Sequence, residues 1–286
     1  MSETSTSRYI DTGDVSAPDT ILLIHGLWMT PRSWERWIER YESRGYTVVA
    51  PSWPGLEGDV EALRRDPSPL ADLSAAKILT HYEEIIRGLK SAPIIMGHSF
   101  GGTFAHILLD RGLGAAGVSI DGATVRGIPD LPLSTLRSTA HVLTNPLNRG
   151  KAVPFSEKHF RYAFGNTLDA AASRAAWERY AVPAAARVLF EGAMANLNPR
   201  TSFRVDWRNR DRAPMLFIGG GADHVVPAKV SRKLAAKAGK SGAVTAYKEF
   251  PGRSHFTAGE PGWEEVADFA LSWATEHAGR KQAVTA

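Results

Sequence analysis

Residues 93–102 read Pro93-Ile94-Ile95-Met96-Gly97-His98-Ser99-Phe100-Gly101-Gly102. The apolar run at Pro93 to Met96 has the length and character of a strand buried on both faces of a parallel sheet. Phe100 to Leu109 reads as a helix, so the turn between them must be sharp. A serine in such a turn, with glycine two positions away on each side, has the form of a nucleophile elbow, G-x-S-x-G. Side chains at the glycine positions would collide with the neighbouring strand and helix. A bare G-x-S-x-G arises by chance in roughly one chain of this size in ten. The strand before it and the helix after it set this match apart from a Gly-rich turn carrying a solvated serine.

Working outward, the same alternation continues on both sides. Thr20 to His25 (TILLIH) is a buried strand ending at Gly26. A helix follows, with Ser33 as its N-cap and Trp34, Trp37, Ile38 and Tyr41 at helical spacing. Tyr46 to Ala50 is the next strand, and Leu73 to Leu89 is a helix by its apolar period. Downstream come the strand Gly117 to Ile120, the strand Met215 to Ile218, the helix Ala228 to Ala238, the strand Val244 to Phe250 and the helix Trp263 to His277. Alternating strands and helices predict an α/β fold with a mostly parallel, doubly wound sheet. One connection is far too long: about ninety residues separate Asp121 from Pro214, where about 2 to 6 are usual. Its Ala-rich part, Leu168 to Ala195, reads as helix interrupted at Pro183. Residues 122–205 are therefore expected to form a helical cap inserted before the strand at Met215, on a core of 8–121 and 206–279. The polar or small residues at 1–7 and 280–286 are expected to fray.

A serine hydroxyl needs a base to take its proton. Of the nine histidines, His255 alone lies on a loop after the last strand and before the last helix, where the chain order Ser, acid, His requires it. His277 fits a solvated helix C-terminus, and His98 fits packing inside the elbow. His81, His106, His141 and His159 precede the expected acid. Asp223, in Gly219-Gly220-Gly221-Ala222-Asp223-His224, follows the strand at Met215 and suits the orienting acid. Asp121, at the end of the preceding core strand, competes for that role. The oxyanion of an acyl transfer needs N–H donors. Phe100 in the elbow offers one, and Leu27, after His25-Gly26, offers the second, with Trp28 as the alternative.

HGLW at 25–28, GHSFGG at 97–102, GGGADHVVP at 219–227 and GRSHF at 252–256, in that order and with a cap-sized insertion, resemble the α/β-hydrolase superfamily over residues 18–277. The resemblance implies an eight-stranded sheet and a site beneath the cap. Only about twenty residues precede the first clear strand, so one or both of the family's first two strands are expected to be short or lost. Relatives that open epoxides or remove halide typically carry Asp at the elbow, where this chain has Ser99.

Composition narrows the function further. Hydrophobic residues make up 43% and charged residues 22%, as in a soluble globular protein. The formal charge is +4, without a run of five or six like charges and without a nucleic-acid motif. The absence of cysteine excludes disulfides and thiolate chemistry. No zinc, P-loop or dinucleotide signature is present, so neither metal nor cofactor is expected. The start, MSETSTSRYI, does not read as a secretory signal, and no run reaches membrane-span length, which points to the cytoplasm. The expected activity is cofactor-free cleavage of a carboxylic ester through an acyl-enzyme on Ser99, with lactone, thioester and acyl-transfer chemistry as variations. A lyase using the same serine and histidine, or a hydrolase-like ligand-binding protein, is the alternative. Trp28, Trp177 and Phe160 are the expected substrate-binding residues, although aromatics at these spacings also serve a cap's own core.

Overall fold

The computed structural model describes residues 18–278, so the terminal stretches expected to fray lie outside the described residues, as do 8–17 and 279 at the edges of the expected core. The strands, in chain order, are β1 (Thr20–Ile24), β2 (Thr47–Val49), β3 (Ile94–His98), β4 (Ala116–Ile120), β5 (Ala152–Val153), β6 (Ala184–Ala185), β7 (Met215–Gly220) and β8 (Thr245–Phe250). Six of them form one sheet in the order β2-β1-β3-β4-β7-β8, and every neighbouring pair is parallel. The protein thus has the expected α/β fold.

Strands buried on both faces show how a continuous apolar run sorts itself with period two. Ile21 and Leu23 of β1, Ile94 and Met96 of β3, and Leu216 and Ile218 of β7 face one apolar layer. There they meet Trp34, Trp37 and Tyr41, together with Val266, Ala267 and Ala270 of the helix Trp263–His277. The alternate residues, Leu22, Ile24, Ile95 and Phe217, face the other layer. That layer holds Ile78 and Tyr82 of the helix Ala75–Arg87, Phe104 of Phe100–Asp110 and Leu234 of Ala228–Ala238. Helices on both faces complete the doubly wound arrangement.

One detail differs from the sequence reading: Ser33 does not cap the first helix, Glu35–Glu42, whose N-cap position is Trp34 without a side-chain cap bond, because a 3₁₀ turn precedes it. Pro31 starts a 3₁₀ turn at Pro31–Trp34, the Thr30 hydroxyl accepts from the Arg32 N–H, and the Ser33 hydroxyl donates back to the Thr30 carbonyl. Among the described residues the main sheet has six strands where the resemblance implies eight, with one or both of the first two expected to be short or lost; β5 and β6 pair with each other, antiparallel, apart from it.

Between β4 and β7 the chain forms four helices, Leu133–Leu143, Glu157–Ala163, Ala170–Tyr180 and Ala186–Ala193, in addition to β5 and β6. Among the described residues, no helix is long and apolar enough to cross a membrane.

Candidate active site

Five residues of interest sit just past the C-terminal ends of core strands: Leu27 after β1, Ser99 after β3, Asp121 after β4, Asp223 after β7 and His255 after β8. In open parallel sheets this is the edge where ligands bind.

Ser99 stands at φ 54° and ψ −123°, a conformation that L-residues rarely adopt. Its N–H continues the ladder of β3 by donating to the Ile120 carbonyl at 2.9 Å, and its carbonyl accepts from the Thr103 N–H in the first turn of the helix. The flanking glycines are required by contact. A Cβ on Gly97 would lie 2.1 Å from the Gly101 carbonyl oxygen, and one on Gly101 would lie 2.1 Å from the Ile24 carbonyl oxygen. Helix and strands therefore meet backbone to backbone around the serine, which is 4% exposed.

His255 bridges serine and acid. Its Nε2 lies 3.0 Å from the Ser99 Oγ and its Nδ1 2.7 Å from the Asp223 Oδ2. The other oxygen of Asp223 accepts from the N–H groups of Val225 (2.6 Å) and Val226 (2.8 Å). Burial pushes the Asp223 carboxyl up, and these two amides oppose the push. Burial lowers His255 to about 3, so its imidazole is neutral. The proton on Nδ1 faces the carboxylate, which leaves Nε2 to accept from the serine hydroxyl.

Asp121 is equally buried, but the His255 Nδ1 faces Asp223 instead. Its Oδ1 accepts from the Gly220 N–H at 2.6 Å. Burial, with Asp223 nearby, pushes its carboxyl well above the usual range, and the neutral acid ties β4 to β7. His98, the variable residue of the elbow, points its Nε2 at the His255 carbonyl, 2.7 Å away. Burial and the neighbouring His255 lower it to about 3, so it acts as a neutral donor that fixes the His255 backbone. His98, Asp121 and His255 bring three potential ligand atoms within 4.8 Å of one another. Both His255 nitrogens are already engaged by Ser99 and Asp223, so this donor set does not fit a metal.

The loop after β1 lies directly over the serine. A Cβ on Gly26 would come within 2.8 Å of the Ser99 Cβ. His25, stacked on Trp53 and lowered to about 4 by burial, accepts from the Trp53 N–H at Nε2 and donates from Nδ1 to the Gly26 carbonyl. Trp28, at φ 63°, is held from the insertion side: its indole N–H donates to the Val153 carbonyl and its own carbonyl accepts from the Val182 N–H.

The loop carrying His255 is anchored from the same side. The Phe256 N–H donates to the Phe164 carbonyl, and Glu260 accepts from the Ser254 N–H and hydroxyl as well as from the Thr167 hydroxyl. The Phe164 ring stands edge-on to His255, 4.7 Å away.

Ser99, Phe100 and Trp28 line a cleft with about 690 Å³ of empty space, counting its part open to solvent. Its other walls include Leu143, Leu189, Val226 and Val230. Two expected substrate-binding residues lie elsewhere. Trp177 lines a separate hollow, with the Arg64 guanidinium over its ring and its indole N–H on the Phe155 carbonyl. Phe160 is fully buried, stacked on Phe164 and edge-on to Phe256, so it backs the site without lining it. The sequence reading did not identify Leu143, Leu189, Val226 or Val230 as walls; no signal in ordinary aliphatic residues distinguishes a wall from core.

With that geometry in place, the profile of the alpha/beta hydrolase family matches residues 21–269. The chain belongs to this family. No curated protein matches the sequence significantly. Among solved structures, this alpha/beta hydrolase is similar to an extracellular alpha/beta-hydrolase from a Paenibacillus species. That likeness has 20% identity and a TM-score of 0.66, covering 92% of this chain and 100% of the other. It is also similar to the monoacylglycerol lipase of Paleococcus ferrophilus (18% identity, TM-score 0.62, 91% and 96% covered). A pyrethroid hydrolase from Sphingobium faniae gives 21% identity and a TM-score of 0.62, with 89% and 96% covered. At these identities the likeness establishes the shared fold.

Proposed function

We propose that this alpha/beta hydrolase is a serine-dependent carboxylic ester hydrolase acting on a small molecule with an apolar group. The observation that carries the reading is the unbroken chain Ser99 Oγ, His255 Nε2 and Nδ1, Asp223 Oδ2, with contacts of 3.0 and 2.7 Å. Ser99 attacks the ester carbonyl while His255 takes its proton, and Asp223 stabilises the imidazolium that forms. The imidazolium then protonates the departing alkoxide. A water, deprotonated by the same nitrogen, releases the acid from the acyl-enzyme.

Two N–H groups support the oxyanion. Phe100 opens its helix, and such N–H groups have no partner within the helix. For Leu27 the support is peptide geometry: the Gly26 carbonyl is turned toward His25, and in a planar trans peptide the following N–H points the opposite way. The Trp28 alternative lacks such an orienting bond. Residues 122–205 are read as a lid, since their helices supply Leu143 and Leu189 to the cleft wall.

The test is Ser99→Ala assayed on short-chain nitrophenyl esters, together with fluorophosphonate labelling and mass spectrometry. Loss of a triad nucleophile costs on the order of 10⁶ in turnover. Retention of more than a few percent of the wild-type rate, or a label on a residue other than Ser99, refutes the reading.

A further inference from the structure

Among the described residues, the large hydrophobic side chains that stand exposed are Leu131, Leu133, Leu136, Leu147, Met194 and Leu197, all within the insertion. Leu131 lines the cleft that holds Ser99, and Leu133, Leu136, Met194 and Leu197 lie within four residues of other residues that line it. Leu131 and Pro132 line one side of it and lead into Leu133 and Leu136, one turn apart on the helix Leu133–Leu143. Gly192 and Ala193 line it too and lead into Met194 and Leu197. Leu133 is 84% exposed and Leu197 75%. Solvated leucines gathered at the opening of an apolar cleft mark a surface that meets an apolar phase.

Charge points the same way. Residues 122–214 hold fourteen Lys and Arg against seven Asp and Glu, a formal +7, whereas the whole chain carries +4 and the rest of it therefore −3. Part of that charge adjoins the leucines. Asn196, between Met194 and Leu197, accepts from the Gly127 N–H and lines a groove with Arg126, Arg204, Lys237 and Trp207. Asp110 and Asp206 also line it. With these two carboxylates set against its three cations, the groove keeps a net positive charge of one.

We infer that the face formed by Leu131–Leu136 and Met194–Leu197 docks on an anionic lipid surface, placing the cleft mouth against the apolar phase so that an acyl ester passes from lipid to Ser99. This rests on the ester-hydrolase reading for the fate of the substrate, but the docking itself does not. Cationic residues beside inserted apolar ones are the combination that holds a peripheral protein on anionic lipid. A second copy of the chain seated here would cover the opening of the cleft, whereas a lipid surface supplies it.

The experiment is co-sedimentation of the whole protein with vesicles of ether-linked phosphatidylcholine containing a minority of ether-linked phosphatidylglycerol, lipids without a carboxylic ester to cleave. The wild type binds, and binding weakens when phosphatidylglycerol is omitted or salt is raised. The double variant Leu133→Ser, Leu197→Ser partitions at least about tenfold less, while its kcat/KM on a water-soluble short ester stays within twofold of wild type. No binding by the wild type, or equal binding by the double variant, overturns the proposal. A wild-type dimer in sedimentation velocity that the double variant dissolves also overturns it, assigning the leucines to a protein contact. If Ser99→Ala keeps its activity but the wild type still binds vesicles through these leucines, the hydrolase reading falls and the docking stands.

Discussion

The two oxygens of Asp223 have divided duties, which makes Asp223→Asn an informative substitution. Oδ1 holds the N–H groups of Val225 and Val226 at 2.6 and 2.8 Å, and Oδ2 faces the His255 Nδ1 at 2.7 Å. An amide has a single oxygen, and the two backbone donors fix where it must sit, because turning the NH₂ toward them would leave two buried N–H groups unpaired. The NH₂ therefore faces Nδ1, which must become an acceptor, and the imidazole proton moves to Nε2. There it confronts the Ser99 hydroxyl and can no longer take its proton. The expected loss in kcat is about 10⁴-fold, as the wrong tautomer brings in a Ser-His-Asp triad, or roughly 5 kcal/mol of barrier. Asp121→Asn keeps an oxygen for the Gly220 N–H and replaces a neutral acid with a neutral amide, so its loss stays within about tenfold. The assay is kcat and KM on a short nitrophenyl ester for both variants, with circular dichroism to confirm folding. A larger loss for Asp121→Asn than for Asp223→Asn refutes the assignment of the acid.

Acid should destabilise the fold. Burial lowers His25 to about 4 and His98, His106 and His255 to about 3. Below pH 6.5 the unfolded chain therefore binds protons that the fold excludes, and stability is lost as pH falls from there toward 4. The raised carboxyl of Asp121 acts in the opposite sense and offsets about one histidine, while the half-buried His141, lowered to about 4, adds to the loss, so the fold loses on the order of a few kcal/mol between pH 6.5 and 5. Urea melts at the two pH values measure it, and an unchanged midpoint contradicts the four neutral histidines. In the cleft wall, Leu189→Ala and Val230→Phe should reorder kcat/KM across an ester series of graded chain length by about 1 to 3 kcal/mol. Trp177→Ala should lower stability and leave that order unchanged; a reordering by Trp177→Ala alone would move the pocket to the other side of the insertion.

How much of this was legible in the sequence depended on how each element is buried. β1, β3, β4 and β7 are buried along their whole lengths and showed as continuous apolar runs. β8, at the sheet edge, is half-buried over most of its length, yet its boundary moved by one residue only. The helix Leu133–Leu143 escaped notice because its leucines at 133 and 136 face solvent while Ser138 and Thr139 face inward, so hydrophobic periodicity does not report its packing. At the site, chain order placed Ser99, Asp223 and His255, and the structure brings those three side chains together. What sequence left open between Asp121 and Asp223 was which carboxyl faces Nδ1, a matter of how loops turn after two adjacent strands. Trp177 and Phe160 do not line the cleft that holds Ser99, because they pack within the insertion, while Leu143, Leu189, Val226 and Val230 join Trp28 and Phe100 in its walls.

The two hydrogen bonds from Phe164 and Thr167 into the loop carrying His255 have a consequence for engineering. A lid borrowed from a distant relative, or a protein trimmed to its sheet and core helices, would lose the carbonyl that holds Phe256 and the hydroxyl that meets Glu260. The loop carrying His255 would keep its bonds to Glu260, His98 and Asp223 but lose two of its anchors, so, on the ester-hydrolase reading, the chimaera would forfeit reaction rate along with substrate preference. Transplants that retain residues 164–167 keep both anchors and leave the rest of the insertion open to exchange.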